Sequence, residues 1–288
     1  MTTDSGEHRL AVVGAGVMGT NISTLAIGHG VSVVLVDVNE DVLKQARTTI
    51  KQKTRHAQLM GVLPAGRAPG TLTTTTDLAD IADATTVIEA VVEIAEAKEK
   101  VLRAASALVR PGTTLISNTS CIPIDEMASW VDRPAELVGV HFMNPSYLIK
   151  MVEVIRGPRT DESIVTGVVD LLAVLGRQSI VINDSAGFVI NRLLHPLINT
   201  AAMLVQEGVA SVEAVDGLLE GCLGHSTGPL ATGDLIGLDN LVDSLNVLYE
   251  RRGDESCKPC DLLLSKVRDG HLGRKSGQGF YDYGKVAS

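Results

Sequence analysis

Residues 10–37 constrain the fold more than any other part of the chain. An apolar run, Leu10-Ala11-Val12-Val13, leads straight into Gly14-Ala15-Gly16-Val17-Met18-Gly19, and a second apolar run over 31–36 ends on Asp37. This order reads as strand, tight turn, helix and second strand. Gly14 permits the turn, Gly16 lets a ligand approach the backbone, and Gly19 lets the helix pack closely on the sheet. The first helical residues, Val17 and Met18, then present free N–H groups and a positive dipole end, which suits a phosphate. Asp37 falls roughly 20 residues past the glycines, where a carboxylate takes both hydroxyls of a ribose. A carboxylate there repels a 2′-phosphate, so the motif predicts NAD rather than NADP. The alternative is a tight turn in some other α/β protein.

Composition narrows the function classes. The 288 residues allow one large domain or two ordinary ones, and 45% hydrophobic residues suffice for a packed core. With only 3% aromatics, that core must be built from Val, Leu, Ile and Ala. A net charge of −9 without a basic run argues against a nucleic-acid surface. No apolar run reaches ~18 residues, and the opening stretch, residues 1–9, is polar, so a membrane span and a signal peptide are not expected. A cytoplasmic protein is the expectation. The four cysteines are Cys121, Cys222, Cys257 and Cys260. Cys257-Lys258-Pro259-Cys260 is a lone CxxC with no second pair or nearby histidine, so ordinary thiols are expected and no metal site.

The first two-thirds alternate strand and helix. Strands are expected at 10–13, 31–36, 85–90, 113–117, 137–141, 151–155 and 179–182, and helices at 41–59 (capped by Asn39), 94–108 and 161–175. The stretch 61–70, with three of its positions occupied by Pro64, Gly66 and Pro69, is expected to be a loop, and 73–76 only a short polar run. Such alternation specifies a Rossmann-type, mostly parallel sheet covered on both faces. After Asp184 the pattern turns helical: one long helix over 186–208 that Pro196 should kink, then 211–222, 233–250 and 261–269. The chain is therefore divided into an NAD-binding domain, 1–184, and an all-α domain, 185–288.

In open α/β sheets ligands bind outside the carboxyl ends of the strands. Those ends here deliver Asn118-Thr119-Ser120 and His141-Phe142-Met143-Asn144-Pro145, and the strand 151–155 carries Glu153. Hydride transfer to a nicotinamide needs a base for the hydroxyl proton, and His141 suits that task. Glu153 would hold the imidazole in one tautomer. Ser120 and Asn191 can hydrogen-bond the reacting oxygen. From spacing alone, His141 can equally be a structural histidine, and Glu153, between Val152 and Val154, can face solvent from an edge strand.

These residues resemble the NAD-dependent L-3-hydroxyacyl-CoA dehydrogenases, including the bacterial 3-hydroxybutyryl-CoA enzymes. The likeness runs through Val13-Gly14-Ala15-Gly16-Val17-Met18-Gly19, Val87-Ile88-Glu89-Ala90-Val91-Val92-Glu93, Ser117-Asn118-Thr119-Ser120 and His141-Phe142-Met143-Asn144-Pro145. It continues through Met151-Val152-Glu153-Val154-Ile155, Gly187-Phe188-Val189-Ile190-Asn191-Arg192-Leu193 and Gly273-Arg274-Lys275-Ser276-Gly277-Gln278-Gly279-Phe280-Tyr281. The resemblance implies that His141 is the catalytic base and Glu153 its partner, and that Ser120 and Asn191 position the substrate's 3-oxygen. It implies that Asp37 binds the adenosine ribose and that Glu93, Lys98, Asn118, Ser120, Asn144 and Lys275 lie near the cofactor. The implied reaction is reversible oxidation of an L-3-hydroxyacyl thioester by NAD, in a cleft between the two domains of a homodimer.

The chain also departs from that pattern. Ser146-Tyr147-Leu148-Ile149-Lys150 and His225-Ser226-Thr227 replace residues that should lie near the acyl group. The segment implied to bind CoA is shortened around 64–70, and two implied CoA contacts are Lys53 and Met60. These changes suggest a short or polar acyl group, carried on CoA or on an acyl carrier protein as in the making of polyketide extender units; loop variation without consequence is the plain alternative. Two other readings stand beside this one: a dehydrogenase of a free 3-hydroxy acid, and a non-catalytic NAD-binding protein, which should have lost one of His141, Glu153, Ser120 or Asn191.

Overall fold

The structure is a computed structural model that describes residues 8–64 and 66–284. Residues 1–7 of the polar opening stretch, Ala65 of the 61–70 loop and residues 285–288 lie outside it. Backbone proximity divides the chain into two units, Met1–Ser185 and Ala186–Ser288.

The first unit is an eight-stranded sheet: β1 (Arg9–Val13), β2 (Ser32–Val36), β3 (Leu72–Thr75), β4 (Thr86–Glu89), β5 (Thr114–Ser117), β6 (Leu137–His141), β7 (Met151–Arg156) and β8 (Gln178–Asn183). The order is β3-β2-β1-β4-β5-β6-β7-β8. Every neighbouring pair is parallel except β6 and β7, which run antiparallel. The helices are α1 (Val17–Gly28), α2 (Glu40–Leu59), α3 (Ala95–Leu108), the single turn α4 (Ile124–Met127) and α5 (Glu162–Val174). β4 and β6 are buried along their whole length, which explains why adjacent apolar residues, Val87-Ile88 and Leu137-Val138, stand where a half-exposed strand would alternate. Asn39 caps α2 by accepting from the Asp41 and Val42 amides, and Asp161 caps α5 through the Ser163 amide. Leu10, Val12, Ile22, Leu25, Leu35, Ile88, Val140, Val154 and Leu172 share one core. Burying each contributes about 1.5–3 kcal/mol.

The strand β3 was not expected. Residues Leu72–Thr75 are a threonine run, yet they pair in register with β2 at the sheet edge. Threonine's β-branched side chain suits a half-exposed strand, and an edge position removes the need for apolar residues on both faces.

The second unit holds α6 (Ile190–Gln206), α7 (Val212–Leu223), α8 (Pro229–Ile236), α9 (Leu238–Arg252) and α10 (Asp261–Arg268). Two expectations need correction here. The helix expected over 186–208 begins only at Ile190, after a turn in which Gly187 and Phe188 have positive φ. The expected helix 233–250 is two helices, because Gly237 takes φ +96 and breaks the hydrogen-bond ladder between α8 and α9. Ile198, Leu230, Leu238, Leu241, Leu245 and Leu263 form this unit's core. Two buried carboxylates fasten its glycine-rich tail. Asp216 accepts from the Leu230 and Ala231 amides and the Tyr281 hydroxyl; Asp234 accepts from the Phe280 and Tyr281 amides and the Tyr283 hydroxyl. Among the described residues no helix is long and apolar enough to cross a membrane.

Candidate active site

The glycine-rich turn is built as a cradle. At Gly14 the backbone has φ +103, and a Cβ there would stand 2.6 Å from the Ala90 carbonyl oxygen, so the turn after β1 abuts the turn after β4. A Cβ on Gly19 would fall 1.8 Å from the Gly14 carbonyl oxygen, which holds α1 close against the turn. Gly16 is different: a Cβ there would meet nothing within 4 Å, so this stretch of backbone faces open space. Gly16 is also the N-cap of α1 and supplies no capping side chain, which leaves the helix end, with Val17 and Met18, to an outside acceptor. Asp37, at the end of β2, accepts from the Ala15 amide at 2.8 Å and the Asn39 amide at 3.0 Å. Its carboxylate is thereby aimed at the turn while each oxygen keeps a lone pair. An open glycine backbone, an uncapped helix N-terminus and a positioned carboxylate fit a dinucleotide.

The ends of β4 and β5 carry a buried charge network. Lys98 is 1% exposed, and its ammonium lies 2.7 Å from Glu89 Oε1 and 3.2 Å from Glu93 Oε2. Glu89 also accepts from the Val91 amide (2.8 Å) and the Ser117 hydroxyl (2.6 Å). Burial works against the Lys98 charge, but the two carboxylates outweigh it and hold its pKa above the ordinary lysine value. Burial likewise opposes the charge on Glu93. Lys98, the Thr119 hydroxyl and the Ser120 and Cys121 amides overcome it and hold the carboxyl below the usual range. Sequence reasoning had Glu93 and Lys98 but missed Glu89, Ser117 and Thr119. The available signal was a glutamate following the apolar pair Val87-Ile88 in a strand expected to be buried, where a carboxylate must find a partner.

His141 ends β6, and Glu153 lies directly across from it on β7. Their side chains are nearly buried, and His141 Nδ1 stands 2.7 Å from Glu153 Oε2. The antiparallel turn-back of β7 creates this pairing; a parallel crossover would have placed the two residues elsewhere. A carboxylate only accepts hydrogen bonds, so Nδ1 carries the proton in the neutral ring and Nε2 is the basic nitrogen.

The connection 142–150 between these strands is tied down from several sides. Asn118 Oδ1 accepts from the Phe142 amide at 3.1 Å. Asn144 Oδ1 accepts from Asn21 on α1 at 2.8 Å, and Lys53 on α2 donates to the same Asn21 at 2.7 Å. Buried Arg177 donates to the Ser146 and Ile149 carbonyls at 3.2 and 2.9 Å. Tyr147 packs against the core, with the Lys53 ammonium 5.8 Å from its ring centroid. In the first unit Gly14, Gly16, Asp37, Glu93, Asn118, Ser120, His141 and Asn144 lie at or just after the carboxyl ends of parallel strands, Val17, Met18, Gly19 and Lys98 lie in the first turns of α1 and α3, and Glu153 is brought opposite His141 by the antiparallel β7. Asn191 and Lys275 belong to the second unit, where Asn191 is buried in the first turn of α6 and Lys275 pairs with Asp239 at 2.5 Å. Thr227 lies 2.9 Å from the Thr232 hydroxyl in the exposed loop before α8. Cys257 and Cys260 are buried free thiols.

Comparison with known proteins places this architecture. Residues 9–185 match the NAD binding domain of 3-hydroxyacyl-CoA dehydrogenase, and residues 187–283 match its C-terminal domain. A probable 3-hydroxybutyryl-CoA dehydrogenase of Deinococcus radiodurans is 39% identical over 96% of this chain and 100% of its own. The crystal structure of FadB2 from M. tuberculosis superposes with a TM-score of 0.91 at 36% identity, covering 96% of this chain and 99% of that one. That of (S)-3-hydroxybutyryl-CoA dehydrogenase from Ralstonia eutropha gives 0.88 at 33%, with the same coverage. A glycine cradle with its acid, a two-unit architecture and full-length likeness agree: the chain belongs to the NAD-dependent 3-hydroxyacyl-CoA dehydrogenase family of oxidoreductases.

Proposed function

We propose that this protein oxidises a short or polar L-3-hydroxyacyl thioester to the 3-ketoacyl thioester, reversibly, with His141 as the base. The observation that carries this is the His141–Glu153 pair, which leaves Nε2 as the basic nitrogen at the carboxyl edge of the sheet. When bound at the α1 cradle, NAD supplies the hydride acceptor. Nε2 takes the proton of the 3-hydroxyl, and the Glu153 carboxylate stabilises the imidazolium that results. Ser120 and Asn191 are assigned to hold the 3-oxygen. Glu93, Lys98, Asn118, Asn144 and Lys275 are assigned to the cofactor's surroundings, as the family pattern implies.

The relatives named as 3-hydroxybutyryl-CoA dehydrogenases support a four-carbon CoA thioester. A thioester on an acyl carrier protein is the second reading. It is favoured by the end of α2, where Leu59 and Met60 are 79% and 57% exposed and Lys53 is turned inward onto Asn21. A carrier protein presents only a pantetheine arm and needs no cationic pocket for an adenosine phosphate. We also assign a homodimer, supported by the exposed Leu193, Leu197, Met203 and Leu204 of α6. The cytoplasm is the assigned compartment.

The test is NADH formation from L-3-hydroxybutyryl-CoA, from the same group on an acyl carrier protein, and from free 3-hydroxybutyrate. Turnover of either thioester well above the free acid is expected. Equal or better turnover on CoA removes the carrier-protein reading, and preference for the free acid contradicts the thioester assignment.

A further inference from the structure

We infer that Glu93 is a positioning residue for Ser120: its carboxylate, braced from behind by Lys98 and Glu89, fixes the turn that sets the Ser120 hydroxyl in place. This rests on the assignment of Ser120 to the substrate's 3-oxygen. It gives Glu93 a task beyond lying near the cofactor.

A single oxygen, Glu93 Oε1, accepts three donors from three consecutive residues: the Thr119 hydroxyl at 2.5 Å, the Ser120 amide at 2.7 Å and the Cys121 amide at 3.1 Å. The turn is thus wrapped around the carboxylate. Thr119 closes it further, because the hydroxyl that donates to Glu93 also accepts from the Ile122 amide at 3.0 Å. The other oxygen, Oε2, meets the Lys98 ammonium, which Glu89 holds in turn. Glu89 is anchored by Ser117, the last residue of β5, so the ion triad ties the start of the turn as well as its middle.

The far side of the turn is also fixed. Asn118 accepts from the amide of Phe142, the residue after His141. Ser120 therefore sits between a carboxylate clamp and the strand that carries the base. Although the Glu93 side chain is 37% exposed, its carboxylate is desolvated enough that Lys98 and the donors of the turn are what keep it charged. The dependence is mutual: the carboxylate needs these donors in its desolvated position, and the three donors take a fixed geometry from it. Buried ion pairs are poor sources of net stability, and a role in specifying geometry accounts better for a triad that buries a lysine almost completely. A misplacement of about 1 Å at a reacting group costs as much as 10²-fold in rate, so holding this turn has a catalytic consequence.

A double-mutant cycle tests the inference on the whole protein. Ser120→Ala, Glu93→Gln and the double variant are assayed for kcat and KM on L-3-hydroxybutyryl-CoA, and for NADH affinity by fluorescence titration. If Glu93 acts through Ser120, Glu93→Gln lowers kcat/KM by about tenfold in the native background. At saturating NAD it then adds little once Ser120 is alanine. Thr119→Val, which keeps the shape and removes the hydroxyl, moves kcat/KM the same way, and Thr119→Ser restores it. Losses that multiply in the double variant overturn the inference while leaving the role of Ser120 intact. A loss confined to the NADH dissociation constant, with kcat/KM for the thioester at saturating NAD unchanged, overturns it too, by making Glu93 act through the cofactor alone. Full activity in Ser120→Ala is the separate failure: it removes Ser120 from the site, and the inference falls with that assignment.

Discussion

The two units both bury carboxylates, but they spend them on different partners. In the second unit Asp216 and Asp234 each accept from two backbone amides and a tyrosine hydroxyl. None of those donors changes its protonation state near neutral pH. In the first unit Glu153 faces the His141 imidazole, whose second ring nitrogen can accept a proton while the first donates. The hydrogen-bonding appetite is the same, and the partner decides whether the acid fastens a chain segment or orients an imidazole ring. Glu93 stands between the two cases, since it holds amides but holds them next to a candidate catalytic serine.

This contrast can be broken by substitution. Glu153→Gln is expected to lower kcat by about 10²- to 10⁴-fold, because an amide can hold the ring in the wrong tautomer and cannot stabilise an imidazolium. Its thermal midpoint should move little. Asp234→Ala should do the opposite, leaving three donors unpaired and costing about 2–5 kcal/mol of stability while activity well below the midpoint is kept. Calorimetry and steady-state rates on both variants decide the matter; equal effects on both quantities in both variants would dissolve the distinction.

A smaller effect is expected at the cradle. Asp37→Ala removes a carboxylate hydrogen-bonded to the turn and available to a ribose. It should raise the KM for NAD on the order of tenfold and weaken the preference over NADP. Native preference for NADP would contradict the assignment of Asp37.

The smallest effect is structural and pH-dependent. His29 is buried beside Arg177 and Arg67, and burial first, then these charges, hold its pKa below the ordinary value despite a bond to the Leu25 carbonyl. The unfolded chain therefore takes up a proton near pH 6.5 that the folded chain refuses. The stability this histidine contributes is present above that pH and is lost as pH falls toward the lower folded value. His29→Gln should show a shallower fall of melting temperature between about pH 6.5 and 5 than the native protein. An unchanged slope would show that this ring does not govern the acid limb.

What was legible in the amino-acid order follows the same physics. The turn 14–19 was readable because only glycine satisfies φ +103 at Gly14 and the 1.8 Å approach at Gly19. The strands β4 and β6 were readable because burial on both faces leaves adjacent apolar residues, Val87-Ile88 and Leu137-Val138, rather than an alternation. β3 was missed because an edge strand beside a single neighbour can be made of threonine. The break at Gly237 was missed because one glycine inside an apolar periodicity looks like a tolerated helix residue until its φ is known. The register of His141 against Glu153 depends on a reversal over residues 142–150, and no local pattern there declares an antiparallel turn. The triad was hidden for a related reason: Glu89 and Ser117 meet only because β4 and β5 are neighbours in exact register.

The central claim is that His141, held by Glu153, receives the 3-hydroxyl proton. The most direct measurement is the rate of NADH formation by His141→Ala, paired with its NADH dissociation constant. A loss of about 10²- to 10⁴-fold in kcat with unchanged cofactor affinity is the expected result. Native turnover in that variant would contradict the account.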